Sequence, residues 1–381
     1  MKTEKVKGFN DFTGEEALKR AEIKKVLAET FEKYGFQPAE TPIIEYEEFV
    51  KGRNNRDEAI SDVFTLKDKG KRNLALRYEF TFQLKRIAKN KKLPYRRYQI
   101  GEVFRDEPAS SNRFRQFTQA DVDVIGSTIR DEAEVIAMTD GILKKLGIEP
   151  IIWVNNRKLL NDILDKLKVK NKEKAIIEFD KKDKLPKNIL KENLEKCGAG
   201  KLLGILRQNP EYFRKKYKSF SEIEELMDYC EVYGIKVKFA PYLVRGLSYY
   251  NGNVFEIKTK SMKETVCAGG SYEIDGVKSM GISFGLERLT MISSIKTEKE
   301  NYLVVSLNQD KKSIEIAQKL RKKGKGCMIY YGKPSKALDY ANSYNIEKVI
   351  FVGEKEVKSK KFKVKNMKTG KEESKTEKEL L

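Results

Sequence analysis

The sequence predicts an α+β protein, with an antiparallel sheet flanked by helices, a helical insertion, and a small α/β domain at the C-terminal end. Three observations carry this. Residues 98–126, YQIGEVFRDEPASSNRFRQFTQADVDVIG, alternate apolar and polar positions on both sides of a polar loop, as two antiparallel strands do. From about Asn156 to Tyr229 the chain is Lys-rich, with Leu and Ile at i, i+3 and i+4 in RKLLNDILDKLK and SEIEELMDY, the spacing of amphipathic helices. Beyond the charged stretch KTEKEN, YLVVSL, a helix to Lys323, CMIYY, a helix around Lys336 to Tyr344 and KVIFVG read β-α-β-α-β, which favours a parallel sheet. Two further short strands fit KFKVKNMKTGKEES.

The earlier elements follow in order. GFNDF is a turn-like entry to a helix in which Thr13 and Glu16 form a capping box, and Ala17, Leu18, Ala21, Val26, Leu27 and Phe31 recur near helical spacing until Gly35 ends the run. FQPAETPIIE reads as an extended segment, with Pro42 confined to an edge or a strand start. A hairpin is expected to turn at Asp68-Lys69-Gly70, followed by a strand and a helix, with Glu79 and Thr81 at the junction. There a carboxylate and a hydroxyl could receive an ammonium group; equally, Thr81 could be an N-cap and Glu79 a first-turn acid. Asn251-Gly252 is the dipeptide of a tight hairpin turn and would place Arg245, Tyr249 and Tyr250 beside it. GISFGLERL reads as a strand entering a helix through Gly285, with Arg288 in the first turn, where a cation adds to the pull of the helix end on phosphate.

Composition narrows the function. A chain of 381 residues holds two or three domains, and at 35% charged with net charge +21 it attracts polyanions over a Debye length of about 10 Å, although a Lys- and Glu-rich composition also arises with growth at high temperature. Cys197, Cys230, Cys267 and Cys327 lie far apart with no CxxC pair, which argues against a zinc site and a disulfide framework and suits a reducing cytosol. No apolar h-region follows MKTEKVKG and no apolar run reaches roughly 18 residues, so neither signal peptide nor membrane span is expected. There is no histidine. That excludes a Ser-His-Asp or Cys-His nucleophile, a His ligand and a His general base, leaving Arg, carboxylates, Tyr, Lys, bound metal or the substrate itself to do the chemistry.

In the 98–126 stretch, Arg105, Arg113 and Arg115 stand with Glu107 and Phe117. Guanidinium forks match phosphate oxygens, a ring stacks on a base and a carboxylate accepts from an exocyclic amine, so the group could hold a nucleotide, where a lone RDE would read as a solvated basic hairpin. The order FRDE, RFRQF, QADVD resembles motif 2 of the class II aminoacyl-tRNA synthetases; GISFGLERL resembles their motif 3, and the helix with its proline-bearing strand resembles motif 1. LRYEFT and LVRGLSYY resemble segments particular to the histidyl-tRNA synthetases within that class, and TVCAGGSYEIDG their CAGGRYD segment. The resemblance covers essentially the whole chain, with two departures: Ser248 stands where the family has Asp, and Ser271 where it has Arg.

The resemblance implies residue roles. Arg105 and Arg245 would contact the ATP α-phosphate and Arg288 the γ-phosphate; Glu107 would read the adenine and Phe117 stack on it, with Arg113 also on the ATP. Glu79, Thr81 and Gln119 would hold the α-ammonium of histidine, with Asp123, Tyr249, Tyr250 and Tyr272 around its ring and Arg245 also contacting the amino acid. An acid at Asp123 suits an imidazole N–H, because an unpaired buried donor costs about 1–3 kcal/mol. The implied activity is ATP-dependent formation of histidyl-adenylate, with Mg2+ on the outer phosphates, and transfer of histidine to the 3′ end of tRNA-His by a cytoplasmic homodimer. The implied domains are a catalytic domain in two parts, 1–155 and 230–296, a helical insertion at 156–229 that leans over the acceptor stem, and an anticodon-binding domain at 300–381. Two other classes are a non-catalytic paralogue, such as the regulatory subunit of ATP phosphoribosyltransferase, which lacks the C-terminal domain, and a tRNA-binding protein without chemistry.

Overall fold

The computed structural model describes residues 2–51, 62–110, 113–183, 185–244, 249–297 and 300–380. The chain divides into two compact units, Met1–Ile295 and Lys296–Leu381.

The first unit opens with α1 (Gly14–Lys33), which buries Arg20, Ile23, Val26, Leu27 and Phe31 and ends at Gly35 with φ +78°. Leu18 and Ala21, expected in the apolar stripe, are exposed, and the Thr13 side chain makes no cap hydrogen bond. The buried stripe begins one turn later than the apolar pattern because Arg20 occupies the first inward position. There follow β1 (Gln37–Pro38), β2 (Ile44–Tyr46), α2 (Glu47–Lys51), β3 (Thr65–Lys67) and β4 (Asn73–Leu76). β2, β4 and β3 make a small antiparallel sheet, with the turn at Asp68–Gly70 held by the Arg72 amide donating to Asp68 Oδ1 at 2.9 Å. A short α3 (Leu84–Ile87) precedes β5 (Tyr95–Phe104) and β6 (Gln116–Ile125), the two strands flanking the polar loop.

Next come α4 (Ile129–Lys145), capped reciprocally by Thr128 and Asp131, and β7 (Ile151–Asn156). The Lys-rich stretch forms α5 (Arg157–Lys166), α6 (Lys172–Asp180), α7 (Lys187–Lys196), α8 (Leu202–Ile205), α9 (Pro210–Lys216) and α10 (Phe220–Val232). Its apolar faces share one cluster with the sheet, Leu159, Phe213 and Phe220 joining Phe255 and Val122. Then β8 (Val237–Phe239), β9 (Tyr250–Thr259), β10 (Met262–Ile274), β11 (Val277–Gly285) and α11 (Leu286–Ile292) close the unit.

The large sheet runs β1-β5-β6-β11-β10-β9-β7-β8, antiparallel except at its two edges. Asn251-Gly252 is not a turn. Both residues lie inside β9, which is paired on either side by β7 and β10. A Cβ on Gly252 would come within 3.0 Å of Ser271 Cβ, so the glycine allows close packing there, at the point where the β9–β10 register shifts and the β7 pairing stops at Asn253. One face of the sheet packs Ala120, Val122 and Val124 of β6 against the helices. On the other face β6 presents Gln119, Asp121 and Asp123 to a cavity, as the two-residue period of a strand requires.

The second unit contains β12 (Asn301–Ser306), α12 (Asp310–Lys322), β13 (Gly326–Tyr331), α13 (Pro334–Ser343), β14 (Lys348–Val352), α14 (Glu354–Ser359), β15 (Lys361–Asn366), β16 (Glu372–Thr376) and α15 (Glu377–Leu380). β13, β12 and β14 are parallel as the β-α-β-α-β pattern predicts, whereas β15 and β16 add antiparallel, so the sheet is mixed. Val304 and Ile350 pack on one face and Val305 and Val349 on the other, which is why these strands read as continuous apolar runs. Among the described residues no helix is long and apolar enough to cross a membrane, and the four cysteines are free.

Candidate active site

A cavity of about 300 Å³ opens on the polar face of the large sheet. Every predicted site residue that the structure describes lines it: Glu79, Thr81, Arg105, Glu107, Arg113, Phe117, Gln119, Asp123, Tyr249, Tyr250, Tyr272 and Arg288. Arg245 and Ser248 lie outside the described residues.

Asp123 is the best-anchored group. Arg97, directly opposite it on β5, approaches Oδ2 at 2.6 Å, and the Tyr272 hydroxyl donates to Oδ1. Arg97 is fully buried and also donates to the Phe80 carbonyl at 3.1 Å. Burial pushes the Asp123 carboxyl up, opposed by Arg97 and by the Tyr272 hydrogen bond. Close packing around it needs a glycine. Gly281 pairs with Asp123 across β6 and β11, and a Cβ there would collide with Asp123 Oδ1.

Around this carboxylate three tyrosines form an aromatic wall. Tyr249 lies 4.8 Å from Tyr250 and 5.6 Å from Tyr272, centroid to centroid. Burial raises the Tyr249 and Tyr272 hydroxyls well above the ordinary tyrosine range, so both remain protonated and can donate. The Tyr249 hydroxyl reaches Glu79 Oε2 at 3.5 Å, and burial pushes Glu79 up to about 7 against the pull of Arg105. The N-cap before α3 is Gln83, so Thr81 does not cap it.

Arg105 joins this region to a cationic one. Its Nη2 donates to Gln119 Oε1 at 3.2 Å, and its guanidinium stands over the Phe117 ring at 5.0 Å. Arg113 lies 3.3 Å from Glu107, and Arg288 donates to the Thr265 carbonyl at 2.6 Å. Desolvation lowers the Arg288 pKa, and the Arg113 and Arg105 charges lower it further, so three guanidiniums share one field. An oligophosphate would relieve that repulsion. Arg115, the third loop arginine, turns instead to Asp106 and to the Phe64 ring.

Other residues also line the cavity, Asp121, Ser283 and Glu287 among them. Asp121 lies between Gln119 and Asp123 on the same face of β6, accepts from Gln119 Nε2 at 3.1 Å, and is pushed up to about 6 by burial and then by Asp123. Ser283 accepts from the same amide at 2.8 Å, and Glu287 precedes Arg288 on α11. The alternation of QADVD was sufficient to place Asp121. Arg97, which supports the cavity from behind, emerges only once the register of β5 on β6 is known.

The departure at Ser271 faces away from the cavity. Its hydroxyl donates to buried Glu132 of α4 at 2.7 Å, while Tyr272 beside it points in. Gly269 and Gly270 serve the packing of neighbouring strands: Cβ atoms there would meet the Gly281 and Asn253 carbonyls. Among the described residues no cluster of three acidic or cysteine side chains could hold a metal ion.

Residues 8–289 match the family model for "Histidyl-tRNA synthetase" and residues 301–381 that for "Anticodon binding domain". The histidine–tRNA ligase 1 of Bacillus cereus (strain ATCC 10987) is 33% identical over 413 residues, covering 98% of this chain and 95% of that protein. The crystal structure of histidyl-tRNA synthetase from Nostoc sp. PCC 7120 superposes with a TM-score of 0.86 at 22% identity, covering 100% of this chain and 99% of that one. A Bacillus halodurans structure described as an ATP phosphoribosyltransferase regulatory subunit/histidyl-tRNA synthetase gives 0.78 at 23% identity, covering 92% and 98%.

Proposed function

The chain belongs to the histidyl-tRNA synthetase family, and from that premise we propose how its cavity divides between histidine and ATP. The activity is the joining of histidine to tRNA, with ATP as the energy source. The observation that carries the assignment is that the Asp123 group and the three arginines line one cavity, bridged by the Arg105–Gln119 hydrogen bond.

On the Asp123 side, the carboxylate accepts an imidazole N–H, and the Tyr272 and Arg97 contacts keep it in place. Tyr250 and Tyr249 close on the ring. Glu79, Thr81 and Gln119 receive the α-ammonium, and ionised Glu79 supplies the compensating charge. On the other side Phe117 and Glu107 take the adenine, Arg105 and Arg245 the α-phosphate, and Arg288 the γ-phosphate, with Arg113 beside Glu107. The histidine carboxylate then attacks the α-phosphorus and pyrophosphate leaves. The arginines stabilise charge as it develops on the phosphoryl oxygens. No side chain acts as nucleophile, so a protein without histidine has all it needs. Mg2+ would come with the ATP phosphates and would supply charge neutralisation there beside Arg105 and Arg288.

The acyl group passes to the 3′ end of tRNA-His, whose anticodon is held by the C-terminal unit while residues 156–229 cover the acceptor stem. The catalytic domain is formed by 1–155 with 230–296. A cytoplasmic homodimer is the working form, supported by the exposed Ile44 and Tyr46 on β2, a strand at the edge of its sheet; sedimentation as one chain would rule this out. The whole reading is tested by charging tRNA-His with labelled histidine and ATP. Accumulation of histidyl-tRNA is expected. A folded protein that binds tRNA and never charges it would instead be a non-catalytic paralogue.

A further inference from the structure

Arg20 is the one charged residue on the buried face of α1. Its Nη2 donates to Glu287 Oε1 at 2.9 Å and to Thr118 Oγ1 at 3.0 Å, and its guanidinium lies 3.8 Å from the centroid of Phe12. Both members of the ion pair are about nine-tenths buried. Glu287 in turn accepts the backbone N–H of Thr118 with its two carboxylate oxygens, at 3.1 and 3.2 Å. That N–H would otherwise be orphaned, because pairing of β6 with β11 ends at Gln119 and Gly285, where β11 gives way to α11. Glu287 takes the place of the missing strand.

The clamp reaches the cavity through Glu287 and through residues adjoining it. Phe117 precedes Thr118, and Arg288 follows Glu287. A buried ion pair gives a poor return as a simple anchor between helix and sheet, since apolar residues hold such surfaces at lower desolvation cost. Here the pair fixes directions: the guanidinium holds the carboxylate, and the carboxylate holds the strand end that carries Phe117 and the helix that carries Arg288. We propose that Arg20 is a positioning residue for the nucleotide, setting Phe117 and Arg288 through Glu287 without touching ATP. The proposal rests on the nucleotide assignment given above. Arg20 and Glu287 bond to each other and to Thr118, not to Glu79 or Asp123, and on the histidine side only Gln119 adjoins Thr118, so the larger effect should fall on ATP.

In ATP–pyrophosphate exchange, Arg20→Met should raise the ATP KM about tenfold and leave the histidine KM within about twofold. Arg20→Lys restores a cation to Glu287 without the planar fork and should recover part of the loss. Equal changes in both KM values, or a lowered melting temperature with the ATP KM unmoved, would overturn the proposal. Should Arg20→Met fail to fold, Arg20→Lys reads the same split, and its absence there has the same force. Arg288→Ala, run in parallel, separates the two levels. If it raises the ATP KM and the Arg20 variants do not, positioning by Arg20 is wrong; if it leaves the ATP KM unmoved, the nucleotide assignment fails and takes the proposal with it.

Discussion

Glu79, proposed to receive the α-ammonium of histidine, shows how a buried carboxylate costs stability in the absence of a partner. Its carboxyl is buried beside Tyr249 and sits at about 7 in the folded chain, against an ordinary value near 4.5. Between these two values the folded protein holds a proton that the unfolded chain has released, so stability falls as pH rises through that window. The difference corresponds to roughly 3 kcal/mol once Glu79 is ionised. Glu79→Gln should therefore melt like the parent near pH 5 and at a higher temperature at pH 8, while losing histidine affinity. Equal melting curves at pH 8 would show that burial of this charge has no such cost. Asp121 belongs to the same argument, because burial next to Asp123 pushes it to about 6. A cavity carrying Glu79, Asp121 and Asp123 accumulates more negative charge than an empty site tolerates well, and a cationic α-ammonium relieves it.

At the scale of elements, the site depends on how closely β6 and β11 approach. Gly281 faces Asp123 across this pair, with the Asp123 Cγ and the Val122 carbonyl each 3.0 Å from where a Cβ would stand. Gly281→Ala should displace the Asp123 carboxylate, raise the histidine KM by about tenfold or more, and cost about 1–3 kcal/mol through overpacking. The ATP KM should hold. A normal histidine KM in the folded variant would mean that Asp123 has freedom the packing denies it. Strand pairs of this kind also explain what the sequence revealed and what it hid. Alternation placed β5 and β6, while Gln119 and Asp123 came from the resemblance to the synthetase motifs; their common face then follows from a strand's period of two. Asp121 shared that period and was readable. Arg97 was not, because its importance comes from lying opposite Asp123, and register is a tertiary property. For the same reason Asn251-Gly252 misled: the strand that carries it pairs with β7 from Asn253 onward and with β10 on either side of a register shift, so the dipeptide is an irregularity within β9 and not a turn. The capping box expected at Thr13 formed instead at Thr128 and Asp131.

For the whole molecule, charge and composition carry predictions of their own. A net charge of +21 draws tRNA over distance, so the tRNA KM should rise steeply with salt. Pyrophosphate exchange, which involves no tRNA, should change far less between about 50 and 200 mM salt. Parallel losses in both assays would place the salt effect in the fold. The absence of histidine has a second consequence: translation of this chain makes no demand on charged tRNA-His, so its output should hold when histidine is scarce. Ribosome profiling under histidine limitation checks this, and a fall matching that of histidine-containing proteins would remove the idea.

In the proposed reading, the cavity around Asp123 selects histidine and presents its carboxylate to ATP. ATP–pyrophosphate exchange across the twenty amino acids, with Asp123→Ala beside the parent chain, tests it most directly. Exchange with histidine alone, and its loss in the variant, is expected. Exchange with another amino acid, or full histidine exchange without the Asp123 carboxylate, would contradict it.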